Sequence, residues 1–146
     1  MCIRVLIADD QPRARRSLKA LLTALHWSAP GCSEPSARAA LLSLEIVGEA
    51  GDGQEAVEQA WALHPDVVLM DLVMHTVFAL EPRLDGAATI RMIKSRWPAI
   101  RIVVLTMYAT DRTSVLAAGA DAFLLKGCPT SELLDAVIPR APTRLN

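Results

Sequence analysis

The chain is short of the features that would assign a class at a glance. Its 146 residues hold three cysteines, Cys2, Cys32 and Cys128. They are odd in number and far apart, with no C-x-x-C pair and no zinc-ligand spacing, which argues against a disulfide framework or a zinc site and predicts reduced, non-catalytic thiols. Fifteen basic residues against sixteen acidic ones leave a net charge of −1 and a pI of about 6.3. No excess of either sign directs the chain to nucleic acid or to an anionic membrane surface. No apolar run is long enough to span a bilayer. Met1-Cys2-Ile3-Arg4-Val5 enters a strand at once, so no signal peptide is expected and the cytoplasm is the expected compartment. There is no internal repeat and no low-complexity segment. What is present is globular in composition, 52% hydrophobic and 21% charged. The length suits one domain with a sizeable core and is too small for two ordinary ones.

Short apolar strands alternate with helices along the chain. The expected strands are Ile3–Ala8, Glu45–Ala50, Val67–Met70, Ile100–Leu105 and Ala122–Leu125. The first helix is expected from Pro12, which suits a first helical position, to Leu25, with Leu18, Leu21, Leu22 and Leu25 at helical spacing and Asp10 as its cap. Residues 26–36 are rich in Pro, Gly and Ser and read as a loop, followed by a short extra helix from Pro35 to Leu44. Asp52 with Glu55 opens the next helix in the manner of a capping box, with Ala56, Val57, Ala60 and Trp61 as its buried stripe and Pro65 as its stop. Asp85-Gly86 opens a third helix that presents Ile90, Met92, Ile93 and Trp97. A weaker one runs from Asp111 to Ala118 and closes at Gly119, and a last one begins at Pro129 or Thr130 with Leu133, Leu134, Val137 and Ile138 on one side. Alternation of this kind predicts an α/β fold, a parallel sheet with helices on both faces.

Val67-Val68-Leu69-Met70 is apolar throughout, as expected of a strand buried on both faces, and it ends in Asp71. By itself Asp71 could be no more than a loop residue capping the next turn. The other strand ends change the weighing. Asp9 and Asp10 follow the first strand, Thr106 the fourth and Lys126 the fifth. In a parallel sheet all the carboxyl ends share one edge, where a ligand crevice forms. Three carboxylates brought together there repel one another and call for a cation, and hard oxygen ligands with room for water suit Mg²⁺. A carboxylate is also a nucleophile toward phosphorus. Phosphoryl transfer needs charge neutralised on several sides, by Mg²⁺ at one oxygen, Lys126 at a second and the Thr106 hydroxyl at a third. The competing reading makes Lys126 a salt-bridge partner, Thr106 a strand-end cap and the acids a surface patch.

Beyond these arguments, the chain resembles the receiver domain of two-component response regulators. The resemblance is carried by Val5-Leu6-Ile7-Ala8-Asp9-Asp10, Val67-Val68-Leu69-Met70-Asp71-Leu72-Val73-Met74, Pro82-Arg83-Leu84-Asp85-Gly86, Val103-Val104-Leu105-Thr106-Met107-Tyr108 and Ala118-Gly119-Ala120-Asp121-Ala122-Phe123-Leu124-Leu125-Lys126. The Leu-Thr-Met-Tyr and Phe-Leu-Leu-Lys wording looks most like the branch with a C-terminal helix-turn-helix output. The resemblance implies a flavodoxin-like, doubly wound five-stranded sheet of order 2-1-3-4-5. It implies that Asp71 accepts a phosphoryl group from a sensor histidine kinase. Mg²⁺ would be held by Asp10, Asp71 and the backbone carbonyl of Val73, with Asp9 assisting. Lys126 would bind a phosphoryl oxygen, and Thr106 with Phe123 would form the switch pair, although a strand aromatic such as Phe123 is equally a plain core residue. The protein would catalyse only its own phosphorylation and dephosphorylation. It would reach DNA only through an output domain outside this chain, with no membrane partner and with a homodimer left open.

The sequence departs from that pattern in two places. One receiver domain is expected over 1–146, with an insert of about fifteen residues near 26–44 and one of about seven near 75–81, the second close to Asp71 and carrying His75, Phe78 and Leu80. Gly127-Cys128-Pro129 follows Lys126, so no cis bond is expected there, and the last helix is cut short by Pro139. Two other function classes compete. An aspartyl-nucleophile phosphatase would resemble a pattern with a second acid two residues after the first, and Asp71-Leu72-Val73-Met74 lacks it. A pure interaction module would not need every one of these positions filled with competent residue types.

Overall fold

A computed structural model describes residues 2–25, 43–71, 86–107 and 112–138. Five strands form one sheet, β1 (Cys2–Ala8), β2 (Ser43–Ala50), β3 (Val67–Met70), β4 (Arg101–Thr106) and β5 (Ala122–Leu125). All pair in parallel, in the order β2-β1-β3-β4-β5. The helices between them are α1 (Pro12–Leu25), α2 (Gly53–Leu63), α3 (Gly86–Arg96), α4 (Arg112–Ala118) and α5 (Thr130–Val137). This is the doubly wound flavodoxin-like architecture that the strand-and-helix alternation and the resemblance predict.

Residues along a strand alternate between faces, so one sheet builds two cores. Leu6, Ala8, Val68, Met70, Ile102 and Val104 face α2, α3 and α4 and pack on Ala56, Ala60, Ile90, Ile93 and Val115. Ile3, Val5, Ile7, Val67, Leu69 and Val103 face the other way, onto Leu22 of α1 and Leu133, Ala136 and Val137 of α5. β3 lies at the centre and is buried at every position, which is why its sequence shows no polar alternation. α2 comes so close to β2 that a Cβ on Gly48 would stand 2.7 Å from Leu63 Cδ1 and would displace the tip of that side chain. Among the described residues, no helix is long and apolar enough to cross a membrane.

Several expectations are corrected. Trp61 does not belong to the buried stripe of α2. It is 66% exposed and lies edge-on to His64 and tilted against Trp97, while Ala56, Val57 and Ala60 do the packing. Small alanines bring α2 onto the sheet, and an indole one position round the helix is left outside. Asp10 is not the cap of α1. The Gln11 carbonyl accepts the Arg15 N–H at 3.1 Å, so Gln11 is the cap residue, and Asp10 remains in the preceding loop. β4 starts at Arg101 rather than Ile100 and takes in Thr106. The cap of α2 is as expected, with Asp52 accepting the Glu55 N–H at 2.7 Å, although the Glu55 carboxylate reaches back to the Gly51 N–H at 3.3 Å instead of Asp52. The expected extra helix before Leu44, both inserts apart from the first residues of β2, Val73 and Tyr108 lie outside the described residues.

The two tryptophan neighbourhoods and the core give opposite expectations for truncation. Ile90→Ala, at a fully buried site, should cost roughly 2–5 kcal/mol in urea unfolding, whereas Trp61→Ala should cost less than about 1.5 kcal/mol. Equal losses would contradict the assignment of Trp61 to the surface.

Candidate functional site

The sheet register brings the strand-end residues together. Asp9 follows β1 and Asp71 follows β3, and the Asp71 N–H donates to the Ala8 carbonyl at 2.9 Å. That bond continues the ladder between β1 and β3 one step past the strands and sets the two acids side by side. Thr106 closes β4 and Lys126 follows β5, joined by a bond from the Lys126 N–H to the Thr106 carbonyl at 2.8 Å. Four strands thus deliver their last residues to one edge.

Asp9, Asp71 and Thr106 are all buried, at 1%, 8% and 1% exposure. Buried carboxylates need partners. Lys126 supplies one, its Nζ lying 3.1 Å from Asp9 Oδ2 and 3.1 Å from Asp71 Oδ2. The second oxygen of Asp9 accepts the Gln11 N–H at 2.9 Å, its own N–H donates to the Ala50 carbonyl at 2.9 Å, and its carbonyl accepts Arg15 Nη1 at 2.6 Å. Asp10 is half-buried beside them. One carboxylate oxygen from each of Asp9, Asp10 and Asp71 lies within 4.8 Å of the others, so the three can converge on a single cation. An all-oxygen, all-carboxylate donor set fits a hard cation such as Mg²⁺.

Phe123 belongs to β5 opposite Val104, two positions before the pair formed by Leu125 and Thr106. The two-residue period places Phe123 and Thr106 on the same face of neighbouring strands. The ring is half-buried and packs on the core between the sheet and α2, α3 and α4. It also lines an open groove of about 420 Å³ that runs from Lys126 past Leu125 to Arg112 and Glu132. Asp9, Asp10, Asp71, Thr106 and Lys126 are thus found at the carboxyl edge and Phe123 just inside it, while Val73 lies outside the described residues. The contact that sequence reasoning missed is Arg15. Nothing in the run Arg13-Ala14-Arg15-Arg16 marks which arginine turns back toward the acidic loop.

Burial by itself would lower the Lys126 pKa, but hydrogen bonds to Asp71 and Asp9, and the charges of both, outweigh it and hold the ammonium above its ordinary value of 10.5. A folded-state pKa raised above the unfolded one gives stability that is fully present below pH 10.5 and is lost as pH rises through the higher folded value. The stability difference between wild type and Lys126→Met, measured by urea unfolding, should therefore hold steady up to pH 10.5 and shrink above it. A difference that stays constant well above that pH would contradict the bridged arrangement.

Comparison with known proteins agrees with this geometry. The family model described as the response regulator receiver domain matches residues 5–138. The response regulator protein VraR of Staphylococcus aureus strain Mu3 is 30% identical over 139 residues, which cover 94% of this chain and 56% of that protein. The chain therefore spans just over half the length of that relative. Among solved structures, the signal receiver domain of the response regulator NarL from Mycobacterium tuberculosis aligns with a TM-score of 0.70 at 28% identity, covering 94% of this chain and 98% of that one. A two-component response regulator of the LuxR family from Aurantimonas sp. SI85-9A1 aligns with a TM-score of 0.69 at 26% identity, covering 94% and 83%. With the sheet order, the strand-end acids and the lysine all in place, the chain belongs to the response regulator receiver domain family of two-component signal transduction.

Proposed function

We propose that this chain is a phosphorylatable signalling switch in which Asp71 accepts a phosphoryl group from a sensor histidine kinase. The observation that carries the reading is the position of Lys126, 3.1 Å from the carboxylates of both Asp9 and Asp71, within a cluster of three acids. One ammonium against three carboxylates leaves room for further positive charge at the spot where a phosphoryl group would arrive.

An Asp71 carboxylate oxygen attacks phosphorus in line with the phosphohistidine nitrogen. The P–O bond forms, the P–N bond breaks, and the imidazole leaves with that electron pair. The Lys126 ammonium, already beside Asp71, turns to a phosphoryl oxygen. The Thr106 hydroxyl donates to another, and Phe123, on the same face one strand away, moves into the space that Thr106 vacates. Asp9, Asp10 and Asp71, with the Val73 carbonyl, would hold Mg²⁺, which when bound offsets charge on the phosphoryl oxygens. The change at Thr106 and Phe123 reaches the surface of α4 and β5 and shifts the balance between two conformations.

In this reading residues 1–146 form one receiver unit with inserts near 26–44 and 75–81. The unit acts in the cytoplasm and catalyses nothing beyond its own phosphorylation and dephosphorylation. It reaches DNA only through an output domain outside this chain. The length of the curated relatives supports such an output domain, since the VraR match leaves nearly half of that protein unaligned.

Incubation with phosphoramidate and Mg²⁺ should add one phosphoryl group per chain, read as intact mass. Asp71→Asn should abolish the addition, and excess chelator should lower its rate by at least about a hundredfold. Labelling of Asp71→Asn at the wild-type rate would overturn the assignment.

A further inference from the structure

Arg15 sits in α1, six residues past Asp9, and its side chain turns back toward the acidic loop. Nη1 donates to the Asp9 carbonyl at 2.6 Å. Nε lies 3.6 Å from Glu49 Oε1 on β2, buried and with no hydrogen-bond partner, so the ion pair with Glu49 is what holds that side of the guanidinium.

Asp9 is fixed from four directions. Two are backbone bonds, to Ala50 and from Gln11, and two come from side chains, Lys126 and Arg15. In the proposed reaction Lys126 leaves for a phosphoryl oxygen. Arg15, through the Asp9 carbonyl, would still hold the turn carrying Asp9 and Asp10. We propose that Arg15, backed by Glu49, is a positioning residue for cation binding: through the Asp9 carbonyl it keeps the Asp9–Asp10 turn where three carboxylates can meet one ion. The inference rests on the reading of the carboxylate cluster as a Mg²⁺ site.

Charge and geometry predict opposite signs. A guanidinium near the cluster repels a second cation, so if its charge dominated, removing it would tighten Mg²⁺ binding. If its hold on the Asp9 carbonyl dominates, removal weakens binding, as loss of outer-shell partners does at other metal sites.

The test is Mg²⁺ titration calorimetry on the full chain for wild type, Arg15→Met, Arg15→Lys and Glu49→Gln. Arg15→Met should weaken Mg²⁺ by about tenfold or more, with Glu49→Gln and Arg15→Lys weaker than wild type by smaller factors. The Mg²⁺ concentration giving half-maximal phosphoramidate labelling should rise by the same factor in each, and excess Mg²⁺ should restore labelling. A purely structural role would lower the melting temperature without moving that concentration. Unchanged or tighter Mg²⁺ binding by Arg15→Met overturns the inference. Should that variant fail to fold, unchanged binding by both Arg15→Lys and Glu49→Gln overturns it equally. Wild type that binds no Mg²⁺ would instead overturn the reading of the cluster itself.

Discussion

One ammonium between two buried carboxylates is the interaction on which the site depends. Asp9 and Asp71 come from strands that are neighbours in the sheet but more than sixty residues apart in sequence. Each is removed from water, at a cost that burial imposes on any unpaired charge. Lys126, from the far edge strand, meets both at the same distance. Electrostatics alone would push the two acids apart. The ladder between β1 and β3 forces them together, and the lysine makes the proximity tolerable. In the proposed reaction a phosphoryl group would enter a region whose charges are already arranged, with no need to build one.

The rest of the fold serves that placement. β3 can stand at the centre because all four of its residues are apolar and both faces are covered. Its burial makes the position of Asp71 rigid relative to β1 and β4. Two cores on opposite faces, one under α2, α3 and α4 and the other under α1 and α5, clamp the sheet from both sides. Thr106 and Phe123 lie toward the first of these layers. In the proposed reading, a displacement at Thr106 and Phe123 would pass to α4 and β5, which flank that layer.

The legible parts of this architecture are those governed by a single physical rule. A strand covered on both faces must be apolar throughout, so Val67–Met70 announces itself, and parallel pairing then fixes where Asp9, Asp71, Thr106 and Lys126 must gather. Trp61 was not legible, because helical spacing identifies a stripe but not its width, and the alanines of α2 allow an approach that leaves no room for an indole. Asp10 looked like a cap because its residue type suits one, yet a helix that starts at Pro12 puts Gln11 in that position. Arg15 was invisible for another reason. Three arginines within four residues are equivalent on paper, and only the return of the chain along β2, which brings Glu49 alongside, singles one out.

The central claim is that Asp71, among the three clustered acids, is the residue that carries the phosphoryl group. Borohydride trapping of the phosphorylated protein followed by peptide mapping tests it most directly, because reduction converts an aspartyl phosphate to homoserine at the modified position. The account predicts homoserine at residue 71 and unaltered aspartate at residues 9 and 10. Homoserine at either of those two positions, or a stable phosphate ester at Thr106 in its place, would contradict it.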